Sequence, residues 1–200
     1  MRSLEDSPLV RKAGPLWKEA TTAQFLDAVA EGTLPAVALN RWLAQDYLFA
    51  DALTGFQAIA IAKTPRDFRK PLVAGLVALD AEMEWFEAMA RQKGLNLESP
   101  RHPTCRQYCD FLLRVTYTEP YPVLFTVLFG VEASYLAAWS RLPRKGPYQE
   151  LVERWSSPPF AEYVNSLQTL TEQHPHESEQ AYFEEVLNHE RHFWRMAWEG

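Results

Sequence analysis

Two hundred residues, 47% hydrophobic and 13% aromatic, suffice for one domain with a substantial core, and only 8 glycines argue against disorder. The formal net charge of -6 and a pI near 5.4 disfavour binding to a phosphate backbone, and no Lys/Arg stripe overrides that average, so nucleic acid is not an expected partner. The opening MRSLEDSPLVRKAGPLW lacks the apolar run of an export signal, and no segment approaches about 18 uninterrupted apolar residues; the expectation is a cytoplasmic protein without a membrane partner.

The chain reads as a succession of helical patterns with no alternating strand signal, which predicts an all-α domain spanning residues 1–200. Helices are predicted over 16–30, 36–63, 66–92, 103–118, 121–142, 147–155, 159–173 and 177–198. Local chemistry supplies the stops. Gly32 precedes the Leu34–Pro35 entry to the second helix, Thr64–Pro65 ends it, Gly94 follows the third, and Pro143 and Gly146 follow the fifth. Helices of twenty or more residues joined by short connections imply a bundle. Cys105 and Cys109 lie four apart on one helix, a geometry that favours two reduced thiols over a disulfide.

Asp46, Glu82, Glu132 and Glu190 each fall on the apolar stripe of a different long helix. Glu132 shares its face with Leu128, Tyr135, Leu136 and Trp139, and Glu190 shares its own with Val186, Leu187, Phe193 and Trp194. Asp46 lies among Leu43, Phe49, Ala50 and Leu53, and Glu82 among Ala78, Leu79, Trp85 and Phe86. An ionised carboxylate in such surroundings costs several kcal/mol unless it is paired or shifts its pKa. One inward acid is ordinarily a structural partner; four on four helices predict a polar pocket inside the core.

Paired iron or manganese in a bundle requires Glu-x-x-His pairs projecting inward. Here the residue three beyond each acid is Phe49, Trp85, Tyr135 or Phe193, and Glu185, His189 and His192 are expected on a solvated flank. A haem needs an axial His near the N-terminus, and the first His is His102. The remaining picture is a carboxylate pocket walled by aromatic rings. Such a pocket suits a flat, nitrogen-bearing ring that stacks on aromatic faces and donates hydrogen bonds to carboxylates.

The segment GTLPAVALNRWLAQDYLFADAL from Gly32 to Leu53 resembles the second helix of the TenA/thiaminase-II family, and NHERHFWRMAW from Asn188 to Trp198 resembles its terminal helix. FTVLFGVEASYLAAW and DAEMEWFEAM fit as well, so the resemblance covers nearly the whole chain. It implies a haem-oxygenase-like all-α fold, a homotetramer, no metal or organic cofactor, and an aminopyrimidine as the small-molecule partner.

Carried over, the resemblance makes Asp46 the ligand of the pyrimidine's amine and ring nitrogen, and Glu190 the acid/base. Tyr108 would orient the pyrimidine, with Tyr135 close to the nucleophile position; Phe49 and Trp155 would wall the ring, Trp155 in place of a Tyr. The family's best-studied branch carries a Cys where this chain has Val131, and Glu132 stands beside the vacancy, as in the Cys-lacking branch. Without a thiolate, displacement of thiamin's thiazolium is blocked. Glu190 and Glu132 as a general acid/base pair would instead suit hydrolysis of an aminomethyl- or formylaminomethyl-pyrimidine from thiamin breakdown, a salvage step. Glu82 is expected to hold Glu190 or a Tyr hydroxyl in place, and Cys105, on the face of Tyr108, is a candidate relocated nucleophile. A metal-dependent oxygenase or cofactor-free oxidase on the same scaffold, and a non-catalytic pyrimidine-binding or regulatory protein, remain as alternatives.

Overall fold

The computed structural model describes residues 3–200, and all the regular structure among them is helical. Ten α-helices follow in order: α1 (Pro8–Ala13), α2 (Pro15–Thr21), α3 (Gln24–Glu31), α4 (Ala36–Lys63), α5 (Arg69–Lys93), α6 (Pro103–Thr118), α7 (Tyr121–Ser140), α8 (Gln149–Trp155), α9 (Pro158–Gln173) and α10 (Glu179–Glu199). The long predicted helices appear within a few residues of their expected bounds. The exception is 16–30, which is two helices. Thr22 and Ala23 are extended between α2 and α3, and the hydroxyls of Thr21 and Thr22 bond back to the carbonyls of Trp17 and Lys18. Those hydroxyls offer the backbone an alternative to the next helical turn. Helix α1, with proline at its first position, was not anticipated from the sequence.

Helix α4 is the spine. It packs on α5, α6, α7 and α10, while α7 packs on α9 and α10. Tyr47 donates to Glu87 and Gln57 to the Leu72 carbonyl, which fixes α4 and α5 as an antiparallel pair. Gly32 ends α3 with φ 73°, a left-handed conformation that suits glycine, and lets the chain turn into α4. Arg41 near the start of α4 donates to the carbonyls of Met196, Ala197 and Trp198, and so caps the last turn of α10, where the Ala197 and Trp198 carbonyls have no helical partner. One apolar cluster runs through all ten helices, with Trp42, Trp139 and Trp194 among its largest fully buried side chains. Helix α7 has the length and mean hydropathy (1.5) of a membrane span, yet 78% of that window is buried within the bundle, where an apolar helix all round belongs.

Candidate active site

The eight residues singled out from the sequence, Asp46, Phe49, Glu82, Tyr108, Glu132, Tyr135, Trp155 and Glu190, all line one cavity, with about 730 Å³ of free space including its mouth. Each comes from a helix set by the packing above: Asp46 and Phe49 from α4, Glu82 from α5, Tyr108 from α6, Glu132 and Tyr135 from α7, Trp155 from α8 and Glu190 from α10. Gln45, next to Asp46, accepts from the His102 amide at 2.7 Å and donates to the Pro100 carbonyl at 3.2 Å. It thereby pins the start of α6, and so the register of Tyr108, to the turn that carries Asp46.

Three of the acids are held by aromatic donors. The Tyr135 hydroxyl donates to Asp46 Oδ2 at 2.7 Å, the Tyr108 hydroxyl to Glu190 Oε1 at 2.7 Å, and the Trp155 indole to Glu82 Oε1 at 2.7 Å. Glu132 makes no hydrogen bond to another described residue, and its carboxyl faces the cavity. These donors are themselves fixed by ring packing. Tyr135 stacks on Trp194 at 5.9 Å, Trp155 is wedged between Trp139 at 5.0 Å and Trp85 at 5.3 Å, and Phe49 lies 4.5 Å from Tyr108.

Burial dominates the electrostatics. It pushes Glu132 up to about 8, with the charges of Glu82 and Glu190 adding to the rise. It raises Glu190 to about 8 as well, opposed by the hydrogen bond from Tyr108. Asp46 is raised well above the usual carboxylate range by burial, against the Tyr135 hydrogen bond and with help from Glu82 and Glu190. Glu82 is raised by burial and eased down by Trp155 and the nearby Arg154 guanidinium. Such a cluster sheds its protons as a set, and burial holds all four groups toward the acid form. Perturbed carboxyls of this kind on a concave aromatic pocket mark a functional site with a physical rationale.

Three expectations need correction or placement. His189 is not on a solvated flank: its ring stacks on Tyr108 at 4.7 Å and 7° and touches Phe111, and burial lowers its pKa to about 4, so it is a neutral plate behind the tyrosine. Glu185 does face outward and pairs with Arg114 at 2.7 Å. Cys105 is buried beside the Gln45 carbonyl and 4.0 Å from the Cys109 sulfur, and it does not line the cavity; its thiol is raised far out of the nucleophilic range by Cys109 and by burial. Val131 does line the cavity, one residue before Glu132. Among the described residues, no group of three or more His, Cys, Asp or Glu side chains converges as metal ligands do.

Sequence reasoning missed Phe160 and Tyr163 of α9, which form a further wall, together with Gly75 of α5. Their only signal was the apolar stripe of α9, in which Phe160, Tyr163, Val164 and Leu167 recur at helical spacing and look like ordinary packing.

Comparison with known proteins agrees with this architecture. The fold matches a TenA homologue from Pyrococcus furiosus with a TM-score of 0.88 and 28% identity, covering 94% of this chain and 97% of that one. It also matches the TenA homologue from P. horikoshii OT3 with a TM-score of 0.86 and 22% identity, over 95% and 96% of the two chains. A relative in Glycine max, named "Probable bifunctional TENA-E protein", is 24% identical over 94% of this chain and 90% of its own length. A family model matches residues 10–200, and the chain belongs to the TENA/THI-4/PQQC family.

Proposed function

We propose that the protein is an aminopyrimidine hydrolase of thiamin salvage that acts on aminomethyl- or formylaminomethyl-pyrimidines by carboxylate acid/base catalysis. The observation that carries this reading is the pair Glu132 and Glu190, two carboxyls on one cavity with pKa values near 8, in a wall that presents no thiol. Family membership and the TENA-E relative support a role in thiamin chemistry. The remaining residues divide the work. Asp46, fixed by Tyr135 and pushed toward its acid form by burial, accepts a hydrogen bond from the amine and donates one to a ring nitrogen; Phe49, Tyr108 and Trp155 wall the ring; and Glu82 positions the Trp155 indole.

The hydrogen bond from Tyr108 favours the ionised form of Glu190, whereas Glu132 has no such donor. Glu190 is therefore the base and Glu132 the acid. For the aminomethyl compound, Glu190 takes a proton from water, the water oxygen bonds to the exocyclic methylene carbon, and the carbon–nitrogen bond breaks as Glu132 protonates the amine. Hydroxymethyl-pyrimidine and ammonia result. For the formyl compound, water adds to the formyl carbon and the same proton transfers release formate and aminomethyl-pyrimidine.

Mass-spectrometric product analysis tests this. Purified protein is incubated separately with thiamin, aminomethyl-pyrimidine and its N-formyl derivative. Conversion of the smaller compounds with thiamin untouched is expected; cleavage of thiamin alone, or no conversion, overturns the reading.

A further inference from the structure

The cavity runs along the bundle axis. On α4 its lining passes from Asp46 through Phe49 and Ala50 to Leu53, and on the antiparallel α5 from Glu82 through Leu79 to Gly75. Seven residues of helical rise make that path about 10 Å long on either helix. Asp46 and Glu82 thus share one end, and Leu53 and Gly75 the other. Tyr163 of α9 closes the second end.

Two contacts set Tyr163 there. Its ring lies on the bare face of Gly75, where an added Cβ would overlap the phenol carbon, its neighbour and the hydroxyl. Gly75 is therefore a close-approach glycine, and any side chain there displaces the tyrosine. Gln57 Nε2 meets the Tyr163 hydroxyl at 3.0 Å and the Leu72 carbonyl at 2.8 Å. A carbonyl only accepts, so the amide nitrogen is the atom that faces both partners, and the phenol oxygen is the acceptor in its bond. The phenol's own O–H is left over, and no described residue accepts it. It lies at the end of a cavity that Glu132 and Glu190 also line, Glu132 near enough for its charge to act on the phenol and Glu190 bonded to Tyr108, which packs on Phe49 between Asp46 and Leu53.

Resting on the aminopyrimidine reading, with the ring anchored at Asp46, the group on the pyrimidine methylene points past Glu132 and Glu190 toward Tyr163. We propose that Tyr163 determines specificity: its ring, seated on Gly75, limits that group to a short one, and its O–H donates to a carbonyl oxygen on it. The favoured substrates are then aminomethyl-pyrimidines with a short N-acyl group, over the free amine and over any second ring. The same bond strengthens as the carbonyl oxygen gains negative charge when water adds, the situation in which a fixed donor helps most.

The test compares kcat/KM and dissociation constants for the free amine, its N-formyl and its N-butanoyl derivative in wild type, Y163F, Y163A and G75A. In Y163F the preference for N-formyl over free amine should fall about tenfold or more, because the donor to the carbonyl is lost while the ring stays; Gln57 loses its bond to the phenol oxygen but keeps the Leu72 carbonyl, a change that falls on both compounds alike. Y163A and G75A should gain use of the N-butanoyl compound, and adding G75A to Y163A should change nothing further. An equal loss on both short compounds in Y163F, or no gain with the longer one in Y163A and G75A, overturns the proposal. If wild type hydrolyses none of them yet Y163F abolishes a preference in binding, the hydrolase reading falls and this inference stands. If wild type hydrolyses the short compounds and Y163F keeps the preference, the reverse holds.

Discussion

The Tyr108 hydroxyl sits 2.7 Å from Glu190 Oε1, with the His189 ring stacked behind it at 4.7 Å. A neutral histidine backs the tyrosine without adding charge, so the hydrogen bond is the local influence that favours Glu190 as a carboxylate. Tyr108→Phe removes it. A hydrogen bond to a charged group is worth about 1.5–3 kcal/mol, which corresponds to about one to two pH units. The acidic limb of kcat/KM on aminomethyl-pyrimidine should move to higher pH by that amount, and an unmoved limb would show that Glu190 is not the titrating base.

Activity requires one of the pair ionised and the other protonated. With both carboxyls near 8, the pH profile should be bell-shaped and centred near that value, rising as the first proton leaves and falling as the second does. In Glu132→Gln the rate should drop about a hundredfold or more and the alkaline limb should disappear. A profile of unchanged shape in that variant would remove Glu132 from the chemistry.

Stability carries the opposite sign to activity. A carboxyl whose pKa is raised in the folded state binds more protons folded than unfolded, so its contribution is complete below about 4.5 and is lost as pH climbs toward about 8. Each group loses about 1.4 kcal/mol per pH unit across that window. Melting temperature should therefore fall from pH 5 to pH 8, and Glu132→Gln should flatten the fall and be more stable than wild type at pH 8. A wild-type melting temperature that rises over the same range would contradict the assigned burial.

Cys105 and Cys109 stand outside the cavity, packed against α4. The double replacement by alanine should leave kcat within about twofold while costing about 0.5–3 kcal/mol of stability through lost packing. Loss of turnover in a folded double variant would restore a thiol to the mechanism.

The fold was legible because its long helices are amphipathic or apolar throughout and end at chemistry visible in sequence, as at Gly32, Thr64–Pro65 and Gly94. The break at Thr22–Ala23 was not, because it depends on hydroxyls turning back to carbonyls within an otherwise helical pattern. The four carboxylates announced the cavity because an acid on an apolar stripe contradicts its surroundings. Tyr163 raised no such contradiction, since a tyrosine among apolar residues is ordinary packing, and only the missing side chain at Gly75 reveals why it reaches the cavity. His189 misled for a related reason: its stack depends on where α6 lies beside α10, which periodicity along one helix does not encode.

The most direct test of carboxylate catalysis is kcat/KM for aminomethyl-pyrimidine at pH 7.5 in wild type and Glu190→Gln, with far-UV circular dichroism on both. The account predicts a loss of about a hundredfold or more with the helical spectrum intact. Wild-type turnover in the variant would contradict it.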